Sequence, residues 1–334
     1  MTKLFTLLCC FALLLPMGCA TLDAARESAD GDTPPITAVN YRLFRGDGTQ
    51  ASWEELIAAT KSATVTFLGE QHDDPVAHHL EQSILRDTLT PNLALSLEMF
   101  ERDAQLPLDE YLAGQITEQH LIASGRAWSN YDPDYRLLIE FARDNHLPVL
   151  AANAPRRYVN LVSREGPQAL QALSEAARHY LPPLPYADAS TPYAEKFYQV
   201  MEENRRSSEA TNAEDTATPA TPEDAQKQAE EDQAKLQRSL QAQSLWDATM
   251  AHAIATFLED NPAGRVLHVN GSFHSAQHLG IPEHLARYRP GASMLVITLV
   301  PDKLFPAFDH GALNGLGDFV IVTDPALQPV YQDE

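Results

Sequence analysis

Two histidines and two glutamates stand at the ends of short apolar runs that lie far apart in the chain. Residues 64–68 run into Gly69-Glu70-Gln71-His72-Asp73, and residues 93–97 into Glu98-Met99-Phe100. Residues 148–152 lead to Asn153 and Arg156-Arg157, and residues 265–270 open into Gly271-Ser272-Phe273-His274. Histidine with carboxylate suits zinc or a transition metal. Glu70, His72, Glu98 and His274 would then be ligands, or one glutamate the base for a metal-bound water. Without metal, His72 with Glu70 or Glu98 makes a general acid–base pair. The plain structural alternative is a buried polar network that fastens loops.

Those four segments must be brought together by a fold. The runs at 64–68, 93–97, 148–152, 265–270, 293–300 and 318–322 are short and apolar, with a further short strand at 41–44. Helical patterns separate them. Ser52 with Glu54-Glu55 starts one, Asp74-Pro75 starts a second that reaches about Arg86, and residues 135–145 form a third. The alternation predicts an α/β fold, a mostly parallel sheet flanked by helices, whose ligands lie beyond the C-terminal strand ends. Between the strands at 148–152 and 265–270 the chain leaves the sheet for an inserted helical subdomain at about 156–260. An acidic, anchor-poor stretch at about 205–235 reads as disorder or a solvated helix.

Other residues carry weaker signals. His78-His79 and Gln82 read as a solvated helix start. Trp128, Tyr131, Asp132 and Tyr135 form an aromatic segment suited either to stacking on a flat ligand or to the core. Gln243, Asp247 and Met250 share one helix face, so Asp247 implies a polar cleft or a cap contact. The formal net charge of −22 argues against nucleic acid as a partner and against a polybasic grip on lipid. With Cys only at 9, 10 and 19, a disulfide framework and a Cys-rich zinc site are both excluded.

All three cysteines belong to the N-terminal segment. Lys3, an apolar run over 4–15 and Gly18-Cys19-Ala20 read as a signal peptide at 1–18 followed by a tether at 19–36. The segment resembles a bacterial lipoprotein signal, with Pro16 where Leu is usual. That resemblance implies lipidation of Cys19 and, through Ala20, an outer-membrane anchor facing the periplasm or the cell surface.

Taken together, the segments resemble the ChaN-like haem-binding lipoprotein family, within the Tiki/TraB and erythromycin-esterase-like superfamily. The resemblance rests on residues 68–75 with His79 and Gln82, on Leu97 to Phe100, and on Tyr111 to Gly114. It continues through Trp128 to Tyr135, Ala152 to Arg156, Ala242-Gln243 with 247–251, Gly271 with His274, and Gly280 to Pro282. It implies a ChaN-like domain over 37–334, non-covalent haem, outer-membrane iron or haem uptake machinery as partner, and a homodimer formed on haem binding. A tyrosine would hold the haem, with Tyr131, Tyr135, Tyr193 and Tyr198 as candidates and Arg156 and Arg157 for the propionates. Covalent attachment is excluded, because no Cys-x-x-Cys-His occurs. Phe273 stands where the family pattern is smaller. Superfamily relatives use the Glu/His set for hydrolysis, sometimes with a divalent metal, so a periplasmic metal-dependent hydrolase is the alternative.

Overall fold

A computed structural model describes residues 35–211 and 221–327. The signal peptide, Cys19 and nearly all of the tether lie outside the described residues. So does the part of the acidic stretch at 212–220. The described residues from Thr37 onward form one compact unit.

The strands are β1 Tyr41–Arg45, β2 Val65–Glu70, β3 Leu93–Glu101, β4 Val149–Asn153, β5 Arg265–Gly271, β6 Met294–Pro301 and β7 Phe319–Thr323. The helices are α1 Trp53–Ser62, α2 Pro75–Asp87, α3 Gln105–Leu112, α4 Glu118–Gly125, α5 Arg136–Asp144, α6 Arg156–Glu165, α7 Glu175–Arg178, α8 Thr191–Thr211, α9 Pro222–Asp260 and α10 Ile281–Tyr288. One sheet runs in the order β1-β7-β6-β2-β5-β3-β4. Only β1 is antiparallel to its neighbour, so the fold is α/β with a mostly parallel sheet, as the alternation of runs predicts.

The order explains where a site forms. From β2 the chain goes on to β3, with β5 later laid between them. From β5 it goes to β6, on the far side of β2. Two adjacent strands therefore hand the chain off in opposite directions, which opens a crevice beyond their C-terminal ends. The register sets Glu70 opposite Gly271 at that point.

Local chemistry fixes the elements that matter. Every residue of β2 is buried, the continuous apolar run that a strand covered on both faces requires. Asp74 caps α2 by accepting the Val76 N–H at 2.9 Å, and Pro75 follows at the first helical position. Thr323 at the end of β7 donates its hydroxyl to the other Asp74 oxygen at 2.6 Å, locking the start of α2 to the sheet.

Helix α9 has two characters. Residues 223–235 are exposed, so this part of the acidic stretch is a solvated helix. Beyond Leu240 the same helix is apolar on one face. There Met250, Ala251, Ile254 and Leu258 pack on Val65, Phe67, Val266 and Val296 of the sheet and on Ile281 and Leu285 of α10. Tyr193 and Phe197 of α8 cluster with Leu240, and α6 packs through Val159 and Val162 against Ala242 and Leu245. The helical region is thus fastened to the sheet by the second half of α9.

Candidate functional site

Beyond β2 and β5 the polar residues fall into two groups that meet at Gly271. A Cβ on that glycine would stand 2.8 Å from His72 Nε2 and 3.7 Å from Glu98 Oε2. Backbone without a side chain is what lets the two groups approach.

The first group surrounds Glu70, which β2 carries into the interior. His72 Nδ1 lies 2.8 Å from Glu70 Oε1, and the Tyr135 hydroxyl donates to the same oxygen at 2.7 Å. His78 Nδ1 stands 3.1 Å from Glu70 Oε2 and 3.3 Å from Glu81 Oε2. Burial alone would raise the Glu70 pKa, but the His78 charge and the hydrogen bonds from His72 and His78 hold it below the usual carboxylate range. Burial and the neighbouring Glu70 charge push the Glu81 pKa well up. Burial opposes a charge on His78, yet the Glu70 charge outweighs it and pushes the imidazole pKa well up. Burial and the Glu70 charge likewise push the Tyr135 phenol up, which leaves it a donor.

The second group surrounds His274 in the turn after β5. Its Nδ1 donates to Asp247 Oδ1 at 2.6 Å, and its Nε2 lies 3.6 Å from Glu98 Oε1. Glu98 Oε2 accepts the Gly271 N–H at 2.7 Å. Burial would lower the His274 pKa, but the Glu98 and Asp247 carboxylates push it up to about 9. Lys196 Nζ donates to the Phe273 carbonyl at 2.9 Å and steadies the same turn.

A rim covers the first group. Trp128 meets the His72 ring edge-on at 5.1 Å, and the Arg156 guanidinium lies 6.0 Å over the indole. Arg156 is well exposed, with a Glu101 carboxylate 4.0 Å away, whereas Arg157 pairs with Asp103 at 2.5 Å.

The four strand-end residues read from the sequence therefore do converge. Asp247 reaches them from α9, the polar contact its helix face implied. The candidate tyrosines do not converge. Tyr135 belongs to the Glu70 group. Tyr131 is buried, and its hydroxyl has no hydrogen-bond partner among the described residues. Tyr193 is buried beside Phe273. Tyr198 alone of the four is part-exposed; its hydroxyl donates to Gln237 at 3.0 Å, beside a cavity of about 270 Å³ between α8 and α9.

One expectation is corrected. His78 is not at a solvated helix start: it is 7% exposed, under Tyr135 and against Glu70, while His79 faces out. Glu81 was not singled out from the sequence. Its signal was present, since an i, i+3 His/Glu pair shares the face of α2 that carries Ala77, Leu80 and Ile84.

Comparison with known proteins is consistent with this geometry. The family model described as haem-binding uptake, Tiki superfamily, ChaN matches residues 56–285, from α1 into α10. The fold is similar to ChaN of Campylobacter jejuni, whose structure is one of cofacial heme binding. The TM-score is 0.62 at 17% identity, covering 87% of this chain and 100% of that one. Among curated proteins, the chain is 26% identical over 278 residues to Protein RETICULATA-RELATED 5, chloroplastic, of Arabidopsis thaliana. That match covers 78% of this chain but 34% of the relative, so the chain spans about a third of the relative's length.

Proposed function

The chain belongs to the ChaN family of haem-binding uptake proteins in the Tiki superfamily, and on that premise we propose that it binds haem non-covalently in bacterial iron or haem uptake. The observation that carries the reading is the extent of the family match, which takes in β2 to β5 and every strand end of the crevice. Haem, when bound, would bring an iron centre that takes an anionic oxygen as ligand.

Among the four candidate tyrosines, Tyr198 suits that role. Its hydroxyl is held by one side-chain hydrogen bond and borders a cavity, whereas Tyr131, Tyr135 and Tyr193 would need the interior to repack. Arg156 suits a carboxylate at the crevice mouth, being exposed and stacked over Trp128. The cavity beside Tyr198 is too small to enclose a haem, so one face of the group stays open. Cofacial heme binding, as named for ChaN of Campylobacter jejuni, would cover that face if a second copy brought the facing haem. The N-terminal run ending at Cys19 supports lipid anchoring at the outer membrane, facing the periplasm or the cell surface.

A second reading, periplasmic hydrolysis, is favoured by one observation: a protonated His274 sits between Asp247 and Glu98 while His72 pairs with Glu70. That arrangement can donate a proton at one point and accept one at another.

Spectra of the Tyr198→Phe variant separate these assignments. Replacing Tyr198 is expected to weaken hemin binding and to remove the tyrosinate charge-transfer signature. An unchanged spectrum would take the ligand role from Tyr198. Ester or peptide hydrolysis lost in His274→Gln would establish the second reading.

A further inference from the structure

The cluster of Glu70, His78 and Glu81 has features that an acid–base network does not need. His78 and Glu81 lie three residues apart on the inner face of α2, and Glu70 meets them from the end of β2. The Glu70 and Glu81 side chains are 0% exposed and His78 is 6% exposed. One donor atom from each residue can be chosen so that all three lie within 4.8 Å of one another.

Three observations point to a cation. First, Glu81 Oε1 is buried with no hydrogen-bond partner among the described residues, and Glu70 Oε2 faces only the shared His78 Nδ1 at 3.1 Å. A buried carboxylate oxygen left without a donor is costly, and a cation satisfies it. Second, the contacts from His78 Nδ1, 3.1 Å to Glu70 Oε2 and 3.3 Å to Glu81 Oε2, match the edges of a small coordination polyhedron. Ligands about 2.1 Å from a zinc-sized ion stand roughly 3.0–3.4 Å apart. Third, the surroundings orient the ligands as outer-shell groups do. Tyr135 and His72 both occupy Glu70 Oε1, which turns Oε2 inward. His78 Nε2 faces the His72 carbonyl at 3.3 Å and Asp134 Oδ2 at 3.7 Å, so the ring donates there, and an ion that displaces the Nδ1 proton meets a nitrogen already aimed at both carboxylates.

We propose that Glu70, His78 and Glu81 form a buried site for one divalent cation of the zinc and manganese class. One imidazole and two carboxylates neutralise such an ion inside the protein and are the donor types those metals take. The site differs from the Glu70, His72, Glu98 and His274 set read from the sequence, because Glu70 alone is common to both. His72 and Tyr135 are positioning residues for it. The proposal does not rest on haem binding.

The test uses the purified full chain, stripped with chelator and free of hemin, titrated with Zn²⁺ and, in parallel arms, Mn²⁺ and Mg²⁺. One equivalent of Zn²⁺ or Mn²⁺ is expected to bind, with a rise in Tm, and Mg²⁺ to bind far more weakly. Glu81→Gln is the decisive variant. It keeps the size and shape of the side chain while the anionic ligand is lost, and binding is expected to fall at least about 100-fold. Tyr135→Phe is expected to weaken binding about 10- to 100-fold as an outer-shell change. His79→Gln, on the exposed face of the same helix, is expected to bind as the parent does. No stoichiometric binding by the parent chain, or equal binding by a folded Glu81→Gln variant, would overturn the proposal.

Discussion

His274 and Asp247 are joined by a 2.6 Å hydrogen bond, Nδ1 to Oδ1, that ties the turn after β5 to the middle of α9. Asp247 is fully buried, and the Glu98 carboxylate faces the other side of the ring at 3.6 Å. Three elements distant in sequence thus share one imidazolium.

Removing one carboxylate tests that sharing. Asp247→Asn is expected to lower the His274 pKa from about 9 towards its ordinary value, read by NMR titration of the ring. Because it leaves a buried charge short of a partner, stability should fall by about 3 kcal/mol or more in urea melts. An unshifted His274 titration would contradict the assignment.

The same histidine sets a pH dependence. Its folded pKa is raised, so its contribution to stability is complete below the unfolded value of about 6.5. The contribution is lost as pH rises through about 9. The difference in unfolding free energy between the parent and His274→Gln should therefore shrink across that window by roughly 3 kcal/mol. Urea melts at pH 6, 7.5 and 9 check it, and a constant difference contradicts it.

Much of this was legible in the sequence because strands covered on both faces leave continuous apolar runs. Glu70, Glu98 and His274 could be assigned to one sheet edge because each follows such a run. Asp247 was marked by its place beside Met250 on one helix face. His78 and Glu81 were not read as buried, since polar residues near a helix start look solvated until their partner is known. That partner is Tyr135, from a segment more than fifty residues away, and no local pattern encodes it. The strand at 41–44 could be read, but its antiparallel pairing with β7 could not, because that pairing joins the two ends of the domain.

Two glycines at the crevice should respond differently to alanine. Gly271→Ala places a Cβ 2.8 Å from His72 Nε2, and that ring is 42% exposed and can swing away. The fold should persist while His72 leaves Glu70 and its raised pKa falls back. Gly280 has φ +67°, and a Cβ there would lie 2.6 Å from the His274 carbonyl oxygen. Gly280→Ala should cost about 1–3 kcal/mol from backbone strain alone, with the clash adding to it. Thermal melts of the two variants side by side test the ranking, and equal losses would contradict it.

Arg156 should matter for ligand binding and not for stability. Its side chain is 72% exposed and its carboxylate contact is long, so Arg156→Ala should change stability by less than about 0.5 kcal/mol. If its cation meets a haem propionate, hemin affinity should fall several-fold. Unchanged affinity would exclude Arg156 from the haem site.

Spectrophotometric titration of the purified chain with hemin bears most directly on haem binding as its function. A saturable Soret shift at micromolar hemin, with a fixed stoichiometry and a strong loss in Tyr198→Phe, is the expected result. A spectrum that stays that of free hemin at every ratio would contradict it.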